Sequence, residues 1–137
     1  MTGTPTPWAR HFQHVWEERS ASRSLPDWLR VACLAYGKHR ANGHANFRPG
    51  EVALVLARLD ETTGVVTALA RQGVHRAIKV AVGNGWLGAG STARCLIVPA
   101  HAITGGLGRA EDACPQHAPA TSKARRPRTR LKSVSGL

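Results

Sequence analysis

The feature that most constrains this chain is a helical repeat over residues 70–83. Apolar residues recur there at the spacing of a single helical face, at Val74, Ala77, Ile78, Ala81 and Val82. The Gly-Asn-Gly run at 83–85 is typical of a helix end. The pattern therefore predicts an amphipathic helix that packs its apolar face against the rest of a small domain.

The remaining faces of this helix carry side chains that suit duplex DNA. Arg76 and Lys79 can reach guanine or phosphate, and Gln72 can pair with adenine. His75 suits either base or phosphate, and Arg71 at the helix start favours phosphate contact. Because the helix contains no acid, we predict a major-groove reading helix centred on residues 72–81. The alternative is a basic face that only contacts solvent.

Three more helices are predicted upstream of the reading helix. Trp8, Phe12, Val15 and Trp16 give residues 8–19 an amphipathic pattern. Pro26 and Asp27 suit the start of a second helix, which ends before Asn42-Gly43 and carries the apolar residues Trp28, Val31, Ala32, Leu34 and Ala35. Residues 44–49 read as a loop. A third, short helix is predicted over 49–59, with the inward residues Val52, Leu54, Val55, Leu56 and Leu59. Residues 60–64 form a turn cluster, and 65–69 carry no clear pattern.

The stretch after the reading helix predicts a hairpin. Residues 86–87 and 94–98 read as its two strands, separated by a Gly-rich turn. The loop over 88–94, with Arg94, would lie along the DNA backbone or a minor groove. The order predicts a mostly α fold with a small β-hairpin (α+β), specifically a winged helix-turn-helix with an extra N-terminal helix.

Several stretches resemble small winged helix-turn-helix DNA-binding proteins of actinobacteria and their phages. They are LPDWLRVACLAYGKHRANGHANFRPGEVALVL, VHRAIKVAVGNGWL, ARCLIVPAHAITGGLG and CPQH, which occur in this order over residues 25–117. The resemblance implies DNA binding, often regulatory, and we carry over only the reading helix at 72–79. It predicts a transcriptional regulator without indicating the operator.

Two cysteines and two histidines near the end of the domain suggest a metal site. Cys95, His101, Cys114 and His117 are spaced C-x5-H-x12-C-x2-H. Two thiolates and two imidazoles would complete a structural zinc site, and CPQH lets two ligands bind from one turn. The alternative is four unrelated residues, with Cys95 simply buried in an apolar run. Cys33 is predicted to lie in the core, and the other histidines, His44 among them, to face solvent or phosphate.

Charge divides the chain into a domain and a basic tail. The chain has 19 Lys and Arg residues against 8 Asp and Glu, a formal charge of +11, which favours polyanionic partners. The last twenty residues, 118–137, contain no acid and predict a disordered extension that grips phosphates through Lys123, Arg125, Arg126, Arg128, Arg130 and Lys132. The predicted organisation is a disordered 1–7, a helix and linker over 8–24, a domain over 25–117, and the tail.

Other function classes find little support in the sequence. No paired carboxylates, nucleophile set or phosphate-binding loop is present, so we expect no enzyme; a small nuclease would need a helix after His117, where the basic tail lies. The chain has no apolar run of membrane-spanning length and no leader-like N-terminus, so we expect a cytoplasmic, nucleoid-associated protein. Double-stranded DNA is the expected partner. The residue 8–19 helix would suit a homodimer, and the alternative function is a winged-helix module that docks on a host protein such as the transcription machinery.

Overall fold

The computed structural model describes Pro7, residues 9–103 and residues 105–117. Four helices lie in this part of the chain: α1 (Gln13–Ser20), α2 (Asp27–Lys38), α3 (Glu51–Val55) and α4 (Arg71–Gly83). The strands are β1 (His44–Asn46), β2 (Arg58–Leu59), β3 (Val66–Thr67) and β4 (Cys95–Ile97), followed by a 3-10 turn at Ala100–Ala102. The coarse prediction of a mostly helical α+β fold is confirmed. Among these described helices, none is long and apolar enough to cross a membrane.

Three predicted features lie wholly or partly outside the described residues. They are the disordered N-terminus over 1–7 (apart from Pro7), the side chain of Trp8, and the basic tail over 118–137 with Lys123, Arg125, Arg126, Arg128, Arg130 and Lys132. These predictions remain predictions.

The core forms where α2 and α4 pack together. Val31, Leu34 and Ala35 of α2 are almost fully buried, as the apolar pattern of this helix predicts. From α4, the buried residues are Val74, Ala77, Ile78 and Ala81. This is the face that the repeat over 70–83 predicts, and α4 begins within one residue of the expected position. The same cluster includes Ala45 from β1 and Leu96 from β4, so the sheet closes one side of the helical core.

The strand β4 is confirmed, but the predicted strand partner at residues 86–87 is wrong. β4 pairs antiparallel with β1, in the register His44↔Ile97, Ala45↔Leu96 and Asn46↔Cys95. β1 lies in residues that the sequence predicts as loop. Residues 86–87 instead pack inward: Leu87 is buried, and the Trp86 ring meets those of Trp28 and Tyr36.

The predicted helix over 49–59 is shorter than expected. α3 ends at Val55, and Arg58–Leu59 pairs with Val66–Thr67 to form a small hairpin that the sequence did not predict. Leu54 and Leu59 are 65% and 43% exposed, so their predicted inward position is also wrong. The hairpin closes because Asp60 Oδ1 accepts the N–H groups of Thr62 and Thr63, an Asx turn that competes with helix.

The first helix begins at Gln13 rather than at residue 8, and the side chain of Phe12, which precedes it, is exposed. α1 lies across the end of α2, where a Cβ on Gly37 would fall 2.7 Å from Glu17 Cγ. The Gln13 amide donates to the carbonyls of Tyr36 and His39, at 3.2 and 3.1 Å. These bonds satisfy carbonyls that the end of α2 leaves without helical partners, so α1 acts as the cap of α2.

An ion pair links the start of α2 to the β2–β3 hairpin and predicts a pH effect. Arg58 donates to both carboxylate oxygens of Asp27, at 3.1 and 2.6 Å. These hydrogen bonds lower the pKa of Asp27 from its ordinary value, against the opposing effect of burial. Because the pKa of Asp27 is lower in the folded than in the unfolded state, its ionisation stabilises the fold at pH values above the unfolded-state pKa. This stabilisation is lost as the pH falls through the folded-state pKa.

We expect Asp27→Asn to lower the free energy of unfolding by about 1 kcal/mol at neutral pH, since the pair is bidentate but partly exposed and Asp27 also lies at a helix N-terminus. Urea unfolding of both proteins should show this difference shrinking as the pH falls through the folded-state pKa of Asp27. Glu61→Gln, at an exposed acid in the same hairpin, is the control and should have little effect. A difference that is the same at every pH would contradict the prediction.

Candidate metal centre and nucleic-acid interface

The β1–β4 sheet presents two different faces. Side chains alternate along a strand, so Ala45 and Leu96 point together into the helical core. His44, Asn46 and Cys95 therefore share the opposite face. Cys95 is nevertheless 0% exposed. The residues from Cys114 to His117 account for this burial, because their side chains contact those of β1 and β4 on this outer face.

Four side chains converge where the 114–117 turn meets the sheet. His44 Nδ1 lies 3.3 Å from Cys95 Sγ, and the two sulfurs of Cys95 and Cys114 are 3.5 Å apart. Cys114 Sγ lies 3.4 Å from His117 Nδ1. One atom from each residue falls within 4.8 Å of all the others. The cluster can therefore hold a metal ion such as zinc.

Three of the six distances between these ligand atoms match those of a tetrahedral zinc ion, and all six lie within 4.8 Å. Zinc bonds of about 2.3 Å to sulfur and 2.0–2.1 Å to nitrogen place neighbouring ligands about 3.3–3.8 Å apart in a tetrahedron. The three contacts of 3.3, 3.5 and 3.4 Å fall in this range. Thiolate and imidazole ligands favour zinc over magnesium or calcium, which prefer oxygen.

The two thiols differ in how readily they ionise. Burial raises the pKa of Cys95 to about 12, and its contact with Cys114 acts in the same direction. Burial also opposes ionisation of Cys114, but hydrogen bonds from Asn46, His117 and the Gln116 N–H outweigh it and lower its pKa to about 6. The hydrogen bond to Cys114 raises the pKa of His117. These hydrogen bonds favour the thiolate form of Cys114, and a bound divalent ion would stabilise the thiolates of both cysteines.

Backbone and amide groups around the cluster orient its ligands. The Asn46 amide and the Gln116 N–H each lie 3.4 Å from Cys114 Sγ. His117 Nε2 lies 2.9 Å from the Gly90 carbonyl oxygen. In the usual arrangement of a metal-binding histidine, one ring nitrogen binds the metal and the N–H of the other donates to a carbonyl or carboxylate.

The 105–117 segment reaches the cluster along the loop that joins α2 to β1. The Ala41 N–H donates to the Leu107 carbonyl at 2.7 Å, and the Asn42 amide donates to the Asp112 carbonyl at 3.1 Å. Leu107 itself is 73% exposed. Because this segment has little apolar contact of its own, the cluster at its end is its main tertiary anchor among the described residues.

The structure corrects one predicted ligand. Cys95, Cys114 and His117 meet as the spacing predicts, but the fourth member is His44, not His101. His101 is exposed in the 3-10 turn at Ala100–Ala102. The expectation that His44 faces solvent or phosphate is wrong. One sequence signal could have placed His44 in the cluster. His44 and Asn46 flank the apolar Ala45, just as Cys95 and Ile97 flank Leu96, which is the alternation expected of two paired strands. The pattern spans only three residues, too few to identify a strand. Cys33 is buried in α2, as predicted.

A second candidate site is a groove of about 950 Å³ between α4 and the turn at residues 91–94. It brings together all the folded-domain residues predicted to contact DNA: Arg71, Gln72, His75, Arg76, Lys79 and Arg94. All six are exposed. Among the described residues that line the groove, none is acidic. The helix and the turn therefore line one groove, and no acidic side chain lies between their basic residues.

Arg94 is held on the turn side of this groove. Its Nε donates to the Phe47 carbonyl at 2.8 Å, directly after β1. Its backbone N–H donates to Thr92 Oγ1 at 3.2 Å. The two bonds orient the Arg94 stem, so its position depends on the turn and on the end of β1.

Comparison with known proteins gives no relative: no family model, curated protein or solved structure matches this chain. The resemblance to small winged helix-turn-helix proteins remains a prediction.

Proposed function

We propose that this protein is a sequence-specific double-stranded DNA-binding protein, a transcriptional regulator of the winged helix-turn-helix type with a structural zinc ion. α4 would read the major groove, the 88–94 turn would act as the wing, and the tail would grip phosphates. The observation that carries the proposal is the convergence of the six predicted contact residues on one groove without acidic lining. If the basic face of α4 only contacted solvent, there would be no reason for Arg94 on the neighbouring turn to line the same groove.

The order of elements supports this proposal. α2, β1, α3, α4, the turn and β4 follow one another with β1 paired to β4, which suits three helices backed by a small sheet. One feature departs from a simple helix-turn-helix: residues 56–70 separate α3 from α4, where three or four are usual. The β2–β3 hairpin offsets this length, since the Leu69 N–H donates to the Ala53 carbonyl at 3.0 Å and returns the chain to α3.

Selection of bound sequences from a random duplex library tests the proposal. We expect one enriched motif, bound about a thousandfold or more above scrambled duplex at physiological salt. If Arg76 reads a base, Arg76→Ala should lose discrimination equivalent to about 1–3 kcal/mol at one position of the motif. If it meets only phosphate, binding should weaken on all sequences and the salt slope should fall by about one. Arg109→Ala removes an exposed cation outside the groove and is the matched control.

Other outcomes would favour the competing functions. Affinity without an enriched motif, lost as salt rises, would indicate binding by charge alone and would favour the protein-docking module. Nicking of supercoiled plasmid with Mg²⁺ or Mn²⁺ would contradict the expectation that the protein is not an enzyme.

A further inference from the structure

The 88–94 turn is closed by a residue of the metal cluster. The Thr92 N–H donates to the Cys95 carbonyl at 2.8 Å, and the Cys95 N–H donates back to the Thr92 carbonyl at 3.1 Å. Thr92 Oγ1 also accepts from the Cys95 N–H at 3.2 Å. Cys95 Sγ lies in the cluster with His44 and Cys114. A metal ion bound to the Cys95 sulfur would therefore also restrain the backbone of Cys95, which closes the turn.

The other arm of the turn contacts a second member of the cluster. His117 Nε2 lies 2.9 Å from the Gly90 carbonyl, while its Nδ1 faces Cys114 Sγ. When Nδ1 binds a metal, the proton of a neutral imidazole must sit on Nε2, which makes Nε2 the donor to Gly90. Metal binding and the contact to the turn thus use the two nitrogens of one ring.

The turn has few other supports. Residues 89–90 and 92–94 are exposed. Among the described residues, the remaining anchors of the turn are two backbone hydrogen bonds, Gly88 N–H to the Ile97 carbonyl and Phe47 N–H to the Arg94 carbonyl, together with the Ser91 hydroxyl that bridges Gly88 and Ile97 and the Arg94 side chain. Segments with little buried apolar contact open at low free-energy cost. The other side of the same turn lines the groove opposite α4.

We infer that the metal centre is a positioning element of the DNA interface, and that loading it with Zn²⁺ holds the 88–94 turn against α4 and raises affinity for duplex DNA. The inference rests on the proposed function. Its ligand is a divalent ion that accepts two thiolates and two imidazoles, and the residues that transmit its effect are Cys95 and His117.

The first measurement is amide hydrogen exchange on the full chain, loaded with Zn²⁺ and then treated with chelator. We expect metal removal to accelerate exchange at Gly88, Thr92 and Cys95, whose N–H groups hold the turn, while amides within α4 keep their protection. The second measurement is binding to the most enriched duplex and to a scrambled duplex. We expect metal removal to weaken binding to the enriched duplex about tenfold or more, the loss of about one well-placed contact.

A variant comparison separates turn positioning from general loss of fold. Arg94 is the only cation within residues 88–94. If the metal acts through the turn, the loss of affinity on chelation should shrink in Arg94→Ala and keep its full size in the matched control Arg109→Ala. Equal losses in both backgrounds would overturn the inference in favour of a general effect on folding.

The outcomes also distinguish the inference from the function it rests on. Unchanged turn exchange and unchanged affinity after chelation would overturn the inference, while continued preference for the enriched duplex would leave the proposed function intact. Faster turn exchange without preference for any duplex, in either metal state, would overturn the proposed function and the DNA role of the metal together.

Discussion

Purified protein is expected to carry one zinc ion per chain, and its removal is expected to release the 105–117 segment from the β1–β4 sheet. The expectation follows from the cluster of His44, Cys95, Cys114 and His117, whose ligand atoms all lie within 4.8 Å. An ion that binds only the folded state stabilises it by about 4 kcal/mol when present at a thousand times its dissociation constant. Finger peptides gain about 10–16 kcal/mol from zinc, but they lack an independent core. Because the buried core around α2 and α4 contains none of the four cluster residues, we expect a loss of about 4 kcal/mol rather than complete unfolding.

Variants of the two candidate histidines test which one binds the ion. His44→Ala should lower the zinc content and the urea midpoint, whereas His101→Ala, at an exposed site outside the cluster, should leave both unchanged. Cys114→Ser should remove the metal altogether, since it deletes the most readily ionised thiol. Atomic emission gives the zinc content, and urea unfolding with and without chelator gives the stability. Metal retained in His44→Ala but lost in His101→Ala would contradict the structural assignment and support the spacing-based one.

The sequence predicted those elements whose pattern repeats over several turns. α4 extends over thirteen residues, so its apolar repeat has four buried members that agree in phase. Because thirteen residues fix which side of α4 is buried, they also fix which side faces outward. The sequence alone could therefore place five candidate DNA-contact residues on the exposed side of α4. CPQH could likewise be recognised because a two-residue gap brings Cys114 and His117 to one turn, which the structure bears out.

The rest depended on contacts between residues far apart in the chain. β1 has three residues, too few for strand alternation to stand out from loop, and its pairing with β4 spans about fifty residues. His44 is a ligand candidate only because this pairing places it diagonally across from Cys95. The β2–β3 hairpin was missed for a local reason, since its strands have two residues each and Leu54 and Leu59 extend the helical pattern of α3 without being buried.

Arg30 is the clearest example of a residue that sequence reasoning could not place. It lies in α2 and is only 2% exposed. Its Nε donates to the Ser20 carbonyl at 2.8 Å, and its Nη2 donates to the Val55 carbonyl at 2.7 Å. Ser20 ends α1 and Val55 ends α3, so one guanidinium satisfies carbonyls at the C-termini of two helices. Its positive charge also complements the negative ends of both helix dipoles.

Arg30→Met is therefore expected to lower the free energy of unfolding by about 3 kcal/mol, measured by urea denaturation of zinc-loaded protein. Methionine fills much of the volume but leaves both carbonyls without this donor, and each hydrogen bond to a charged group contributes about 1.5–3 kcal/mol. Asp27, whose carboxylate lies 3.9 Å from Arg30 Nη1, would lose a second positive neighbour.

Two further variants separate the geometry of Arg30 from its charge. Arg30→Lys keeps the charge but concentrates it on one ammonium, which cannot reproduce the forked donors that reach α1 and α3 at once, so it should recover only part of the lost stability. Arg23→Met, at an exposed arginine in the α1–α2 connection, should change stability by less than about 0.5 kcal/mol. Because Arg30 lies outside the groove, these variants should bind the enriched duplex normally wherever they remain folded. A urea midpoint in Arg30→Met equal to that of Arg23→Met would show that the two helix ends do not depend on the guanidinium.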